Sequence, residues 1–146
     1  MISVRLKKLD PAAVIPTYGS AAAAGADLYA LCDAPLTIPA GETVLVHTGI
    51  AVEIPDGYVG LIYARSGLAT KQGLAPANKV GVIDSDYRGE LMVALHNQSN
   101  QTRTVSSGDR IAQLVIAPYL RAEFQPCDDL SDTQRGAGGF GSTGSK

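Results

Sequence analysis

The chain contains no tryptophan, and only 5% of its 146 residues are aromatic. The few rings that are present, Tyr87 and Phe140 among them, therefore stand out. Charge is scarce and nearly balanced, with 18% charged residues and a net charge of −2. That balance excludes wholesale binding to a nucleic-acid backbone, which needs a basic surface. It leaves room for a small phosphorylated ligand held by a few local arginines. The two cysteines, Cys32 and Cys127, form neither a disulfide framework nor a zinc spacing. A reducing compartment is the default for such thiols. His47 and His96 lie in different predicted strands, outside any metal-ligand pattern. No apolar run approaches the length of a membrane span. The first residues alternate like a strand and lack the apolar core of a signal peptide. These features predict a cytoplasmic protein with neither a membrane nor a nucleic-acid partner.

What the sequence does have is turn chemistry. Sixteen glycines and eight prolines favour short strands over long helices. Ile2, Val4 and Leu6 alternate with polar residues and predict a first strand. Pro11 to Tyr18 reads as a loop, and the run Ala21 to Ala24 is bracketed too tightly by Gly19, Ser20 and Gly25 to make a useful helix. Strands are predicted at Leu36 to Ile38, Glu42 to Val46, Ile50 to Ile54 and Tyr58 to Ala64. Further strands are predicted at Thr102 to Val105 and Arg110 to Ile116. Pro39-Ala40-Gly41 and Pro55-Asp56-Gly57 are strong turns between them. The pattern predicts an all-β, jelly-roll-like barrel or sandwich with one short helix and a flexible Gly-rich C-terminal arm. Residues 1–130 would form the β domain and 131–146 the arm.

Five places carry possible chemistry. Gly81 to Glu90 reads as a β-hairpin whose bend holds Asp84, Asp86, Tyr87 and Arg88. Asp can hold a water and accept its proton, and Tyr offers a flat face with a polar tip; a capped turn explains the same residues. Arg65 to Gly73 reads as a helix with Ser66 as N-cap and Gly73 as its stop. A guanidinium, a hydroxyl and free backbone N–H groups there suit one phosphate, though a plain capped helix also fits. Asp27 closes a loop, either as an Asx-turn or as a carboxylate facing a metal-bound water. In the apolar strand after Arg110, Gln113 and Arg110 are the polar exceptions, and Gln113 needs a partner, in backbone or ligand. Finally, Arg135 to Gly144 places one arginine and one phenylalanine among five glycines. It is either a disordered tail or a lid ordered by ligand.

Taken together, five stretches resemble the sequence motifs of trimeric dUTPases. They are residues 24–30 (AGADLYA), 64–69 (ARSGLA), 81–89 (GVIDSDYRG), 108–114 (GDRIAQL) and 135–144 (RGAGGFGSTG). The resemblance implies a homotrimer with sites shared between subunits, using Mg2+ and converting dUTP and water into dUMP and pyrophosphate. By the same resemblance, Asp84 activates the attacking water. Tyr87 lies under the deoxyribose and refuses a 2′-hydroxyl. Asn78 reads the uracil edge, with Val82 and Ile83 lining a hairpin too narrow for thymine. Arg65, Ser66, Gly67 and Gln113 would bind phosphates, and Asp27 a water on magnesium. In the arm, Phe140 would stack on uracil, while Arg135, Gly141, Ser142 and Thr143 would close over the triphosphate. Ala26 departs from the family, which often carries an aromatic there, and Arg88 receives no role. Two alternatives share the fold: a dCTP deaminase, and a nucleotide-binding regulator without turnover.

Overall fold

A computed structural model of the chain describes residues 2–139. Its elements run β1 (Arg5–Lys8), β2 (Thr17–Tyr18), β3 (Ala26–Tyr29), β4 (Leu36–Ile38), β5 (Thr43–Glu53) and β6 (Tyr58–Tyr63). They continue with α1 (Ser66–Gln72), β7 (Leu74–Pro76), β8 (Gly81–Ile83), β9 (Glu90–Asn97), β10 (Arg103–Val105) and β11 (Arg110–Pro118). One sheet has the order β1-β5-β9-β7 and a second the order β2-β3-β11-β6-β8; β10 and β4 form a small third pair. The described pairings are antiparallel. Ala21 to Ala24 forms no helix, as predicted.

The core is aliphatic and lies between the two larger sheets. Val46, Ile50, Leu91, Val93 and Leu95 come from one sheet, and Leu28, Ile62, Ile111 and Leu114 from the other. Each such burial contributes roughly 1.5–3 kcal/mol. The sheets remain separate, so the architecture is a sandwich rather than a closed barrel. After Pro118 the described chain forms no further strand or helix. Leu120 and Phe124 there are 98% and 92% exposed.

Several predicted elements differ from the structure, beginning with Thr17–Tyr18, which ends the predicted loop but pairs with β3 as the short strand β2. The strands predicted at Glu42 to Val46 and Ile50 to Ile54 are one strand, β5, whose register slips between His47 and Ala51. Gly49 bends it with a φ of +69°, and a Cβ at this position would strike Leu31 and Ala13. The predicted hairpin at Gly81 to Glu90 is not a two-stranded ladder, because β8 pairs with β6 while β9 pairs with β5 and β7. Its two arms belong to different sheets. Helix α1 begins one residue earlier than predicted: Arg65 is the N-cap, in extended conformation and without a side-chain cap, and Ser66 is the first helical residue. Gly73 ends it in the left-handed region as expected, and α1 buries no residue.

Candidate active site

The splayed arms of the 81–90 segment create the first site. Because β8 and β9 each pair outward, the space between them stays open. A pocket of about 320 Å3 sits there, lined by Asn78, Val82, Ile83, Asp84, Tyr87 and Met92 among others. A narrower cleft of about 110 Å3 continues between Val82, Ile83, Met92 and Ala94. Unpaired strand backbone facing such a cleft offers N–H and C=O groups to a flat polar ring.

The bend is held by its own residues. The Tyr87 amide donates to Asp84 O at 3.1 Å. Arg88 donates to Ser85 O at 2.6 Å and to Tyr87 O at 2.9 Å. Arg88 is therefore the staple of the turn, a role the sequence did not suggest. The Tyr87 hydroxyl donates to Glu90 O at 3.0 Å, and its ring lies across Gly89, where any Cβ would collide with it. Asp84 is exposed, and among the described residues no side chain or amide bonds its carboxylate.

Glu90 anchors this bend to the bulge in β5. Its carboxylate accepts from Gly49 N at 2.7 Å and Thr48 N at 3.2 Å, with His47 Nδ1 at 2.9 Å. Burial pushes the Glu90 carboxyl up. Hydrogen bonds from His47 and the two amides, with the charge of His47, outweigh burial and hold it below the ordinary value. Sequence reasoning missed Glu90, because its partners lie some forty residues away in the chain.

The second site is a pocket of about 240 Å3 on the five-stranded sheet, lined by Asp27, Arg65, Ser66, Gly67, Arg110 and Gln113 with nearby small residues. Asp27 is not in an Asx-turn. It lies inside β3 opposite Thr17 and Gln113, only 8% exposed. Its carboxylate accepts from Arg65 Nε at 2.7 Å and from Arg110 at 3.3 Å. Gln113 donates an amide N–H to Ala64 O at 2.8 Å, so its main partner is backbone, and its Oε1 packs where a Cβ on Gly25 would be. Ser66 and Gly67 are exposed at the start of α1, where the first amides of a helix have no intrahelical acceptor. Guanidinium, hydroxyl and amide donors converging on one concavity make an anion site. Arg110 was visible in the sequence as a polar exception in an apolar strand and as part of the 108–114 stretch, without an assigned role.

The structure thus gathers Asp27, Arg65, Ser66, Gly67 and Gln113 in one pocket and Asn78, Val82, Ile83, Asp84 and Tyr87 in another. The two pockets share no lining residue. Arg135 joins neither; its Nε donates to Gly138 O at 2.8 Å in the exposed tail. Phe140, Gly141, Ser142 and Thr143 lie outside the described residues. Among the described residues no cluster of three or more His, Cys, Asp or Glu could hold a metal ion, and no helix is long and apolar enough to cross a membrane.

An antiparallel sandwich with a basic anion cradle and a separate slot for a flat polar ring has the chemistry of a nucleotide-handling β protein. Comparison with known proteins narrows the class. The dUTPase family model matches residues 12–144. A deoxyuridine 5'-triphosphate nucleotidohydrolase of Desulfitobacterium hafniense is 51% identical, with 99% of each chain covered. One from Nautilia profundicola is 50% identical over 98% of this chain and 99% of its own. The structure of the Staphylococcus bacteriophage 80alpha dUTPase with dUPNHPP is similar, at a TM-score of 0.89, 28% identity and 99% coverage of both chains. The chain belongs to the dUTPase family.

Proposed function

We propose that this protein hydrolyses dUTP to dUMP and pyrophosphate by attack of water on the α-phosphorus. One observation carries the reading. A chain 51% identical to a named deoxyuridine triphosphate nucleotidohydrolase over 99% of its length keeps a carboxylate, Asp84, that no other described residue engages, beside an open slot. In this reading the slot between β8 and β9 takes uracil, with Asn78, Val82 and Ile83 around its edge. Backbone and amide groups set for uracil leave cytosine's amino group mispaired, and such unpaired polar groups discriminate strongly. Tyr87 lies against the deoxyribose. Asp84 holds the attacking water and takes its proton. Arg65, Ser66, Gly67 and Gln113 hold the phosphates and stabilise the charge that develops on them.

Mg2+ fits this donor set. Magnesium is held by one or two carboxylates together with substrate phosphates and retained waters, rather than by an all-protein cage. Asp27 is the carboxylate nearest the phosphate cradle, and its two arginine contacts leave lone pairs over from the roughly four a carboxylate has. When bound, the ion neutralises phosphate charge.

The phosphate pocket and the ring slot share no residue within one chain. This supports a homotrimer in which neighbouring copies complete each site. Residues 131–146 act as the arm, with Arg135, Phe140, Gly141, Ser142 and Thr143 closing over base and triphosphate and excluding other water. Such an enzyme serves the cytoplasmic nucleotide pool, limiting uracil in DNA and supplying dUMP for thymidylate synthesis.

The test is a product assay with dUTP, dCTP, dTTP and UTP, each with magnesium. dUMP and pyrophosphate from dUTP alone are expected. Deamination of dCTP, or binding of dUTP without turnover, would refute the reading.

A further inference from the structure

We propose that Glu90 is a positioning residue for sugar selectivity: its carboxylate, locked onto the bulge in β5, sets the depth of Tyr87 in the ring slot and thereby the refusal of a 2′-hydroxyl. This rests on the dUTP-hydrolase reading and deepens it.

Side chains alternate between the faces of a strand. In β9, Leu91, Val93 and Leu95 are buried in the core, so Glu90, Met92 and Ala94 take the opposite face. Those three line the slot together with Asn78, Val82 and Tyr87. Glu90 thus stands in the wall of the slot, yet its carboxylate is turned to β5. One oxygen accepts from the amides of both Thr48 and Gly49, and the other meets His47 Nδ1.

The bulge is what makes those amides available. His47 lies opposite Met92 and Ala51 lies opposite Glu90, so four steps along β5 match two along β9. Thr48, Gly49 and Ile50 stand against Leu91 alone, and the first two amides leave the ladder. The Glu90 carboxylate takes the place of the missing ladder acceptors. The Thr48 hydroxyl donates to Leu91 O, and Gly49 O accepts from Leu9 N at 2.7 Å, so the bulge is itself fixed from both neighbouring strands. Bulges are frequent next to active sites, where they re-aim side chains.

Tyr87 has little else to hold it. It is 40% exposed. Among the described residues its hydroxyl makes one hydrogen bond, to Glu90 O at 3.0 Å, and its ring rests across Gly89. Glu90 therefore carries the acceptor for the ring on its main chain and the anchor for that main chain on its side chain. A continuous set of contacts runs from the β5 bulge through Glu90 to the tyrosine. Refusal of a 2′-hydroxyl depends on where the ring stands, and a misplacement of about 1 Å can cost roughly 100-fold at a site that works by geometry. The same tie stabilises the fold, but stability alone would leave the choice between deoxyribose and ribose untouched.

The test is the ratio of affinities for non-hydrolysable α,β-imido-dUTP and α,β-imido-UTP. It is measured by calorimetry on the full chain, with the weaker ligand titrated in competition with the stronger. A ratio does not depend on the fraction of protein that is folded. Glu90→Asp keeps the charge but shortens the reach by one C–C bond, about 1.5 Å. It should lower the preference for the deoxy ligand roughly tenfold or more, and Glu90→Ala at least as far. Glu90→Gln should retain the preference, because its amide oxygen accepts from both backbone N–H groups while its NH2 donates to His47 Nδ1. Tyr87→Phe cuts the contacts at their other end and should lower the ratio too. Combined with Glu90→Asp it should add little, since the two residues act in series. An unchanged ratio in Glu90→Asp would overturn the positioning role. So would a Glu90→Gln ratio as low as that of Glu90→Asp, which would make the charge rather than the tie responsible, or full additivity in the double variant. If the wild-type chain binds no imido-dUTP at all, the dUTP reading itself fails, a result distinct from these.

Discussion

Glu90→Ala should destabilise the fold by about 3 kcal/mol near neutral pH, and the loss should shrink in acid. The carboxylate accepts from two backbone amides, at Gly49 and Thr48, and lies beside His47. Thr48 and Gly49 are buried, so alanine strands two N–H groups that water reaches poorly. An unsatisfied buried donor costs about 1–3 kcal/mol. The Glu90 side chain is 21% exposed, and partial rehydration keeps the sum toward the lower end. The sign with pH follows from the lowered pKa. The folded carboxyl ionises more readily than the ordinary value of 4.5, so its contribution is complete above that value. It is lost as pH falls through the lowered folded value. Chemical denaturation of wild type and Glu90→Ala, at one protein concentration and across pH 3 to 8 (roughly the range where carboxylates titrate), reads this directly. A difference below about 0.5 kcal/mol, the size typical of neutral surface changes, would refute the anchoring role. A difference that stays constant into acid would refute the electrostatic part of it.

Other substitutions test the two pockets separately. Asp84→Asn should keep dUTP affinity close to wild type and lower kcat by roughly 10²- to 10⁴-fold, the usual contribution of a general base; stopped-time product assays with parallel binding measurements separate the two. Gly25→Ala puts a methyl where Gln113 Oε1 sits; thermal melting should show a loss of about 1–3 kcal/mol, and normal stability would mean that Gln113 swings away freely. Truncation before Arg135 should lower turnover sharply while leaving the melting temperature nearly unchanged, because residues 131–137 are exposed; a fall in melting temperature would mean the tail is part of the fold.

Most strands were legible because glycine and proline mark their ends, and β9 buries alternate residues as a half-buried strand should. The errors share one cause. Local pattern shows that a segment is a strand but not which strand it pairs with. Gly81 to Glu90 therefore looked like a hairpin, although its arms join different sheets. Residues 47–49 fall between two predicted strands, whereas Gly49 is a bend inside β5, locked by a carboxylate from β9. The site residues gathered by resemblance fall into two compact pockets, yet Arg110 and Glu90 were absent from that set. Both owe their placement to register slips, one in β11 and one in β5, and a register slip is a property of two strands at once.

Helix α1 has a kinetic consequence of its own. It is seven residues long and buries none of them. Short helices are marginal without packing; α1 sets only half-buried Leu68 against the core, so the ties at its ends carry much of the load. Arg65 is tied to Asp27 at one end, and at the other Arg103 donates to Gln72 O at 2.9 Å while Gly73 sits tightly against Ser99. Its amides should therefore exchange hydrogen through local opening, far faster than those of β9 or β11. A ligand gripping Arg65 and Ser66 would close that opening, and the slowing of exchange across residues 66–72 would report occupancy of the phosphate cradle without any chemistry taking place.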